Sequence, residues 1–119
     1  MGQAVQVTVL SSVFIIDPDG KYYFVKEKNP ERKGYLKYGP PTERLEDDEN
    51  PLHAAYRSMK AEAGITGLVT NPNSPYVLEN KEENLLVFYY IVYPAQYVFG
   101  EDHEVKLFTE DQILTDPDI

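Results

Sequence analysis

Apolar and polar positions alternate in short blocks along this chain, and the period changes once, between residues 51 and 63. From Val5 to Ile16 β-branched residues dominate, as in a strand, and the run ends at Asp17-Pro18-Asp19-Gly20. Pro presets φ and Gly supplies positive φ, so this stretch predicts a hairpin turn. Lys21 to Lys28 reads as the return strand, with Tyr23, Val25 and Glu27 on one face and Tyr22, Phe24 and Lys26 on the other. Asn29 to Gly34 reads as a loop. Tyr35 to Asn50 has no clean period, contains Pro40-Pro41 and carries Glu43, Glu46, Asp47, Asp48 and Glu49, so it is expected to be an ordered loop.

The period then becomes helical. Asn50 suits an N-cap, Pro51 the first turn and Gly64 a C-terminal stop, which predicts a helix of about thirteen residues. Leu52, Ala55, Tyr56, Met59 and Ala63 form one apolar stripe facing a sheet. Ser58, Ala61 and Glu62 stand at i, i+3 and i+4, so they share a patch on a different face.

Beyond the helix, Gly67 to Thr70 is a short strand candidate, Asn71 to Pro75 a loop, and Tyr76 to Leu78 another strand candidate. Leu85 to Tyr93 is the most apolar run. It is bounded by Lys81-Glu82-Glu83 and Pro94, and is expected as a buried strand at the sheet centre. Tyr97-Val98-Phe99 is a weaker strand segment, Val105 to Phe108 a further strand, and Glu110 to Leu114 a short closing helix.

A length of 119 residues suits one domain, residues 1–119, with an ordinary globular composition. A net charge of −9 argues against general nucleic-acid binding. With no cysteine there are no disulfides, thiolate nucleophiles or zinc–thiolate sites. No apolar run approaches the roughly 18 residues of a membrane span, and no leader pattern opens the chain, so a cytoplasmic protein is expected. Six of the 11 basic residues (Lys21, Lys26, Lys28, Arg32, Lys33 and Lys37) fall in one stretch before the acidic run. A solvated strand edge and a ligand-facing patch both explain that cluster.

The order of elements resembles the Nudix hydrolase family over essentially the whole chain, and Glu43 to Ile65 carries the motif. The family box reads Gly, five residues, Glu, seven residues, Arg-Glu, an aliphatic, any residue, Glu-Glu, any residue, Gly, an aliphatic. Glu49, Arg57, Met59, Glu62, Gly64 and Ile65 match it in spacing, whereas Glu43 replaces the first Gly, and Ser58 and Ala61 replace two glutamates. Tyr38 and Pro41 match an aromatic and a proline that often precede the box, and Glu46 falls where many members have an acid.

The resemblance implies an α+β fold, an α/β/α sandwich on a mixed sheet. It implies Mg²⁺ or Mn²⁺ held by box carboxylates, with the metal activating water against a diphosphate linked to a nucleoside or another group. On that basis Glu62 and Glu49 are the catalytic candidates, Glu62, Glu49 and Glu46 the metal candidates, and Arg57 and Gly64 structural parts of the box. Lys26, Lys28, Arg32, Lys37 and Tyr38 are candidates to bind the phosphorylated ligand.

A hard divalent cation wants about six oxygen ligands and a cluster of carboxylates. Of the patch at 58, 61 and 62, only Glu62 keeps one. Hydrolysis is therefore expected to be impaired or lost, with nucleotide or phosphate binding retained. One alternative is an active diphosphatase with relocated ligands from the acidic loop or from Glu82, Glu83 or Glu104. Another is a protein-interaction scaffold built on aromatic strands. The ten tyrosines, Tyr22, Tyr35, Tyr38, Tyr89 and Tyr90 among them, suit core packing, base stacking or a homodimer interface. His53 and His103 are expected as surface residues.

Overall fold

The computed structural model describes residues 6–93, 97–98 and 104–119. Strands β1 (Thr8–Ile16) and β2 (Tyr22–Lys26) form the expected antiparallel hairpin, with Ile15 opposite Tyr23. Asp17 builds its turn: the carboxylate accepts from the Asp19 and Lys21 amides at 3.0 and 2.8 Å, and Gly20 sits at φ 84°. Only glycine enters that region without steric cost. Val5, Phe99 and His103 lie outside the described residues.

The segment expected as a loop, Tyr35 to Asn50, contains two short strands, β3 (Tyr38–Gly39) and β4 (Thr42–Arg44). Their hydrogen-bond partners lie in β2 and β1, so no local periodicity announces them. The helix begins at its expected cap, where Asn50 Oδ1 accepts from the His53 amide at 2.8 Å. It runs as α1 (Pro51–Ser58) and widens into a π-helical turn over Met59–Ala63, ending at Gly64 with φ 63°.

Next come β5 (Ile65–Thr66), β6 (Tyr76–Asn80), β7 (Leu85–Val92), β8 (Tyr97–Val98), β9 (Val105–Phe108) and α2 (Glu110–Thr115). The strand expected at Gly67 to Thr70 is displaced to Ile65–Thr66, and Val69 makes only an isolated bridge to Val92.

Among the described residues the main sheet runs β3-β2-β1-β7-β6, with β4 added on β1 and β9 on β2, and β5 pairs β8 separately. Strands β1 and β7 are parallel from Thr8–Leu85 to Ile15–Val92, and the other pairs are antiparallel, so the sheet is mixed. The centre belongs to β1, and β7 lies one strand in from the β6 edge, a correction to the central place its apolar run suggested. Its alternate residues Tyr90 and Val92 are buried while the rest are half-buried, which a continuous apolar run does not distinguish.

Helices cover opposite faces of this sheet. Ala55, Met59 and Ala63 pack with Val13, Ile15, Tyr90 and Val92, flanked by Leu52 and Tyr56. On the other face Phe24, Tyr38 and Phe108 gather Phe14, Tyr22 and, from α2, Ile113. Each fully buried aliphatic contributes on the order of 1.5–3 kcal/mol.

The long edge of β1 is shared. Strand β2 takes Ile15 and Ile16, β4 takes Leu10 to Ser12, and the sheet splits between them. A groove opens at that split beside the C-terminal end of the box helix.

Candidate functional site

Around the start of α1 the acidic loop closes on Arg57. Its Nε donates to Glu49 Oε2 at 2.9 Å, and its Nη2 donates to Glu49 Oε1 at 2.9 Å and to the Arg44 carbonyl at 2.8 Å. Glu46 and Glu43 stand 3.7 and 3.9 Å from the same guanidinium. The Glu46 amide donates to Glu49 Oε1, and His53 Nδ1 lies 2.7 Å from Glu49 Oε2. These bonds, those from Arg57 first, hold the Glu49 carboxyl down at about 2, and Glu49 pushes the Arg57 guanidinium above its usual range.

Glu62 is held differently. Its Oε2 accepts from the Thr42 amide at 2.8 Å and from Ser58 Oγ at 3.3 Å, tying the π-helical turn to β4. Burial, reinforced by the neighbouring Glu43, raises this carboxyl to about 8 against the lowering effect of the Thr42 and Ser58 donors. Ser58 is wholly buried, whereas Ala61 is exposed.

The groove, about 1500 Å³, has Glu62 and Ala61 on its wall together with Lys26, Lys28, Arg32, Lys37 and Tyr38. Lys26 and Lys28 face Glu104 at 3.4 and 3.7 Å, and Arg32 faces Glu27 at 3.7 Å. Such solvated pairs are worth about 0–1 kcal/mol and leave the cations available to a polyanion. Tyr38 has its ring on Phe108, centroids 5.4 Å apart, with Lys106 Nζ 5.0 Å above it. At 9% exposure that ring serves the second core more than it offers a stacking surface. Glu46 and Glu49 gather around Arg57 instead of meeting Glu62 on the groove wall.

The NUDIX domain family model matches residues 8–118. The chain belongs to the Nudix family. A NUDIX hydrolase from Nitrosomonas europaea is similar with TM-score 0.75 and 17% identity, over 92% of this chain and 61% of that one. The MutT protein from Methanosarcina mazei Go1 gives 0.73 and 14%, over 98% and 88%. The bifunctional NMN adenylyltransferase/ADP ribose pyrophosphatase from Francisella tularensis, complexed with AMP and a manganese ion, gives 0.68 and 15%, over 92% and 36%. At these identities the likeness is one of fold, and the chain spans under two thirds of the first of these proteins. No curated protein matches this chain.

The divalent ion that Nudix enzymes use sets a test for the box residues. Glu49 has both oxygens on Arg57, Glu62 is turned to Thr42, the Ser58 hydroxyl donates to Glu62, and the Ala61 methyl has no ligand atom. Among the described residues no three His, Cys, Asp or Glu side chains stand where they could hold a metal ion. In this arrangement the donor set does not fit a hard six-coordinate cation.

Sequence reasoning missed two participants. Thr42 supplies the backbone donor to Glu62, and Arg44 accepts from Arg57 through its carbonyl while lining the groove. Both contacts depend on β4 meeting the helix, and neither has a local signal. Glu43 did have one, since it stands where the Nudix box has Gly.

Proposed function

We propose that this Nudix protein binds a phosphorylated small molecule, a nucleoside diphosphate derivative, in the groove, and that its pyrophosphohydrolase activity is lost or strongly reduced. The observation carrying this reading is the Glu62 carboxyl, engaged with the Thr42 amide and Ser58 on a helix face where Ser58 and Ala61 supply no second carboxylate. The Francisella tularensis neighbour, complexed with AMP, supports a nucleotide as the ligand class.

In this reading Lys26, Lys28, Arg32 and Lys37 hold the phosphates electrostatically, and Arg57 and Glu49 brace the loop that shapes the rim. Glu62 sits protonated near neutrality, which spares the ligand a like charge beside its phosphates.

A second reading, a rewired diphosphatase, draws on one observation: Glu43 lies against Glu62, so two carboxyls meet beside the groove. Calorimetry with ADP-ribose and ADP, with and without Mg²⁺ or Mn²⁺, and phosphate release followed in parallel, separates the readings. Saturable nucleotide binding that is independent of metal and without turnover is expected. Metal-dependent turnover would replace the first reading with the second, and absence of nucleotide binding would remove both.

A further inference from the structure

Strand β6 ends the sheet: β7 lies on one side, and among the described residues no strand lies on the other. All five of its residues are exposed, Tyr76 at 66% and Leu78 at 61%. Free sheet edges are ordinarily blunted by lysines, prolines or bulges, because unpaired amides and carbonyls recruit further strands. Here the edge reads Tyr-Val-Leu-Glu-Asn, with one charge.

Tyr76, Leu78 and Asn80 share a face with their cross-strand partners Tyr89, Val87 and Leu85. The parity of Tyr90 and Val92, which pack under α1, makes this the opposite face. Helix α2 covers that face only around Phe24 and Phe108. A shallow hollow of about 590 Å³ remains among Leu78, Leu85, Val87 and Tyr89.

We infer that β6 is a homodimer edge, on which a second copy of this chain adds its own β6 antiparallel about a two-fold axis at Leu78, giving one sheet continuous through both molecules. The edge's own sequence points to a second copy as the occupant. Two molecules of net charge −9 repel overall, but Pro75 to Lys81 is neutral, with Glu79 offset by Lys81, so two copies meet there without setting like charges together.

The strand is also self-complementary in this register. Leu78 meets Leu78 of the second copy, Tyr76 faces Asn80, Val77 faces Glu79, and no like charges oppose. A slip that set Glu79 against Glu79 would be penalised, which pins the register. The two Tyr76/Leu78 stripes become one, and Tyr76 of the second copy comes to the Asn80 rim of the hollow. A five-residue edge falls below the standard interface of about 20–30 residues a side, so the dimer is weak and reversible. This inference does not depend on what the groove binds.

Sedimentation of the full chain from about 1 to about 200 µM tests it. A concentration-dependent dimer is expected, weakened at least about tenfold in Leu78→Lys, whose exposed position leaves the thermal midpoint unchanged. Because the chain has no cysteine, Leu78→Cys gives an independent reading. Mild oxidation should cross-link it as a dimer, whereas Leu114→Cys, on α2 and 82% exposed, should remain uncross-linked. A monomer throughout that range overturns the inference, as does a dimer indifferent to Leu78→Lys and not cross-linked at 78. A monomer that instead takes up a foreign strand at β6 overturns it as well.

Discussion

Arg57 grips both carboxylate oxygens of Glu49, each at 2.9 Å, across the eight-residue step from the acidic loop to the second turn of α1. The fork geometry makes the pair a brace, because a guanidinium meets a carboxylate in two parallel bonds and a lysine cannot. Arg57→Ala is expected to lower the thermal midpoint by roughly 5 °C or more, and Arg57→Lys to recover only part of it, measured by circular dichroism.

The same carboxylate sets an acid limit. Glu49 is held at about 2 in the fold against an ordinary value of 4.5, so the unfolded chain binds the proton first. Its stabilising contribution is complete above about 4.5 and disappears as pH falls towards 2. Glu49→Gln should therefore destabilise the protein at pH 6 and differ little from it near pH 2. A constant gap across that window would mean that the charge is not what Arg57 uses.

Glu62 has the opposite sign. Its folded value of about 8 lies above the ordinary 4.5, so the native state retains a proton that the unfolded chain has released. Stability attributable to this group falls as pH rises from about 4.5 to about 8. Glu62→Gln keeps an oxygen for the Thr42 amide without the buried charge. Its thermal midpoint should match the parent at pH 5 and exceed it by several degrees at pH 9.

Restoring the family carboxylates is now predicted to have unequal effects. Ala61 is exposed and tolerates Glu, whereas Ser58 is fully buried beside Glu62, and a second buried carboxyl there is costly without a counter-ion. The double variant Ser58→Glu/Ala61→Glu should melt below the parent in chelator and gain at least about 2–3 kcal/mol in saturating Mg²⁺, read as a metal-dependent melting shift. A double variant blind to Mg²⁺ would show that the patch no longer faces a cation site.

The groove cations separate stability from binding. Lys28→Ala removes one solvated contact with Glu104 and should change the midpoint by no more than a few degrees. If Lys28 meets ligand phosphate, the same variant should weaken nucleotide binding several-fold and flatten its salt dependence. Unaltered affinity in calorimetry would take Lys28 out of the ligand set.

Features set by neighbours in the chain were legible in the sequence. Asn50, Pro51 and Gly64 bounded the helix because capping and positive φ are local, and Asp17 to Gly20 marked its turn for the same reason. The spacing from Glu49 to Ile65 survived as a motif because it is largely helix geometry. What escaped depends on meetings far apart in sequence. Strands β3 and β4 exist because β2 and β1 offer them partners, and the Tyr38 ring is drawn under Phe108, seventy residues onward. Glu43 reaches Glu62 only after β4 has docked, and Lys26 and Lys28 find Glu104 across the β2–β9 edge. No periodicity within a short window encodes those encounters.

The parallel register of β1 with β7 also has a consequence in time. Thr8 to Ile15 must wait for Leu85 to Val92, so the central pairing closes only after most of the chain has been made. Loop closure on that scale must be met before the contacts reward it, which places folding among the slower small domains. During synthesis the hairpin and the box helix emerge early, without the strand that buries their apolar sides. A nascent chain stalled short of Val92 would present Val13, Ile15 and Met59 to chaperones instead of to one another.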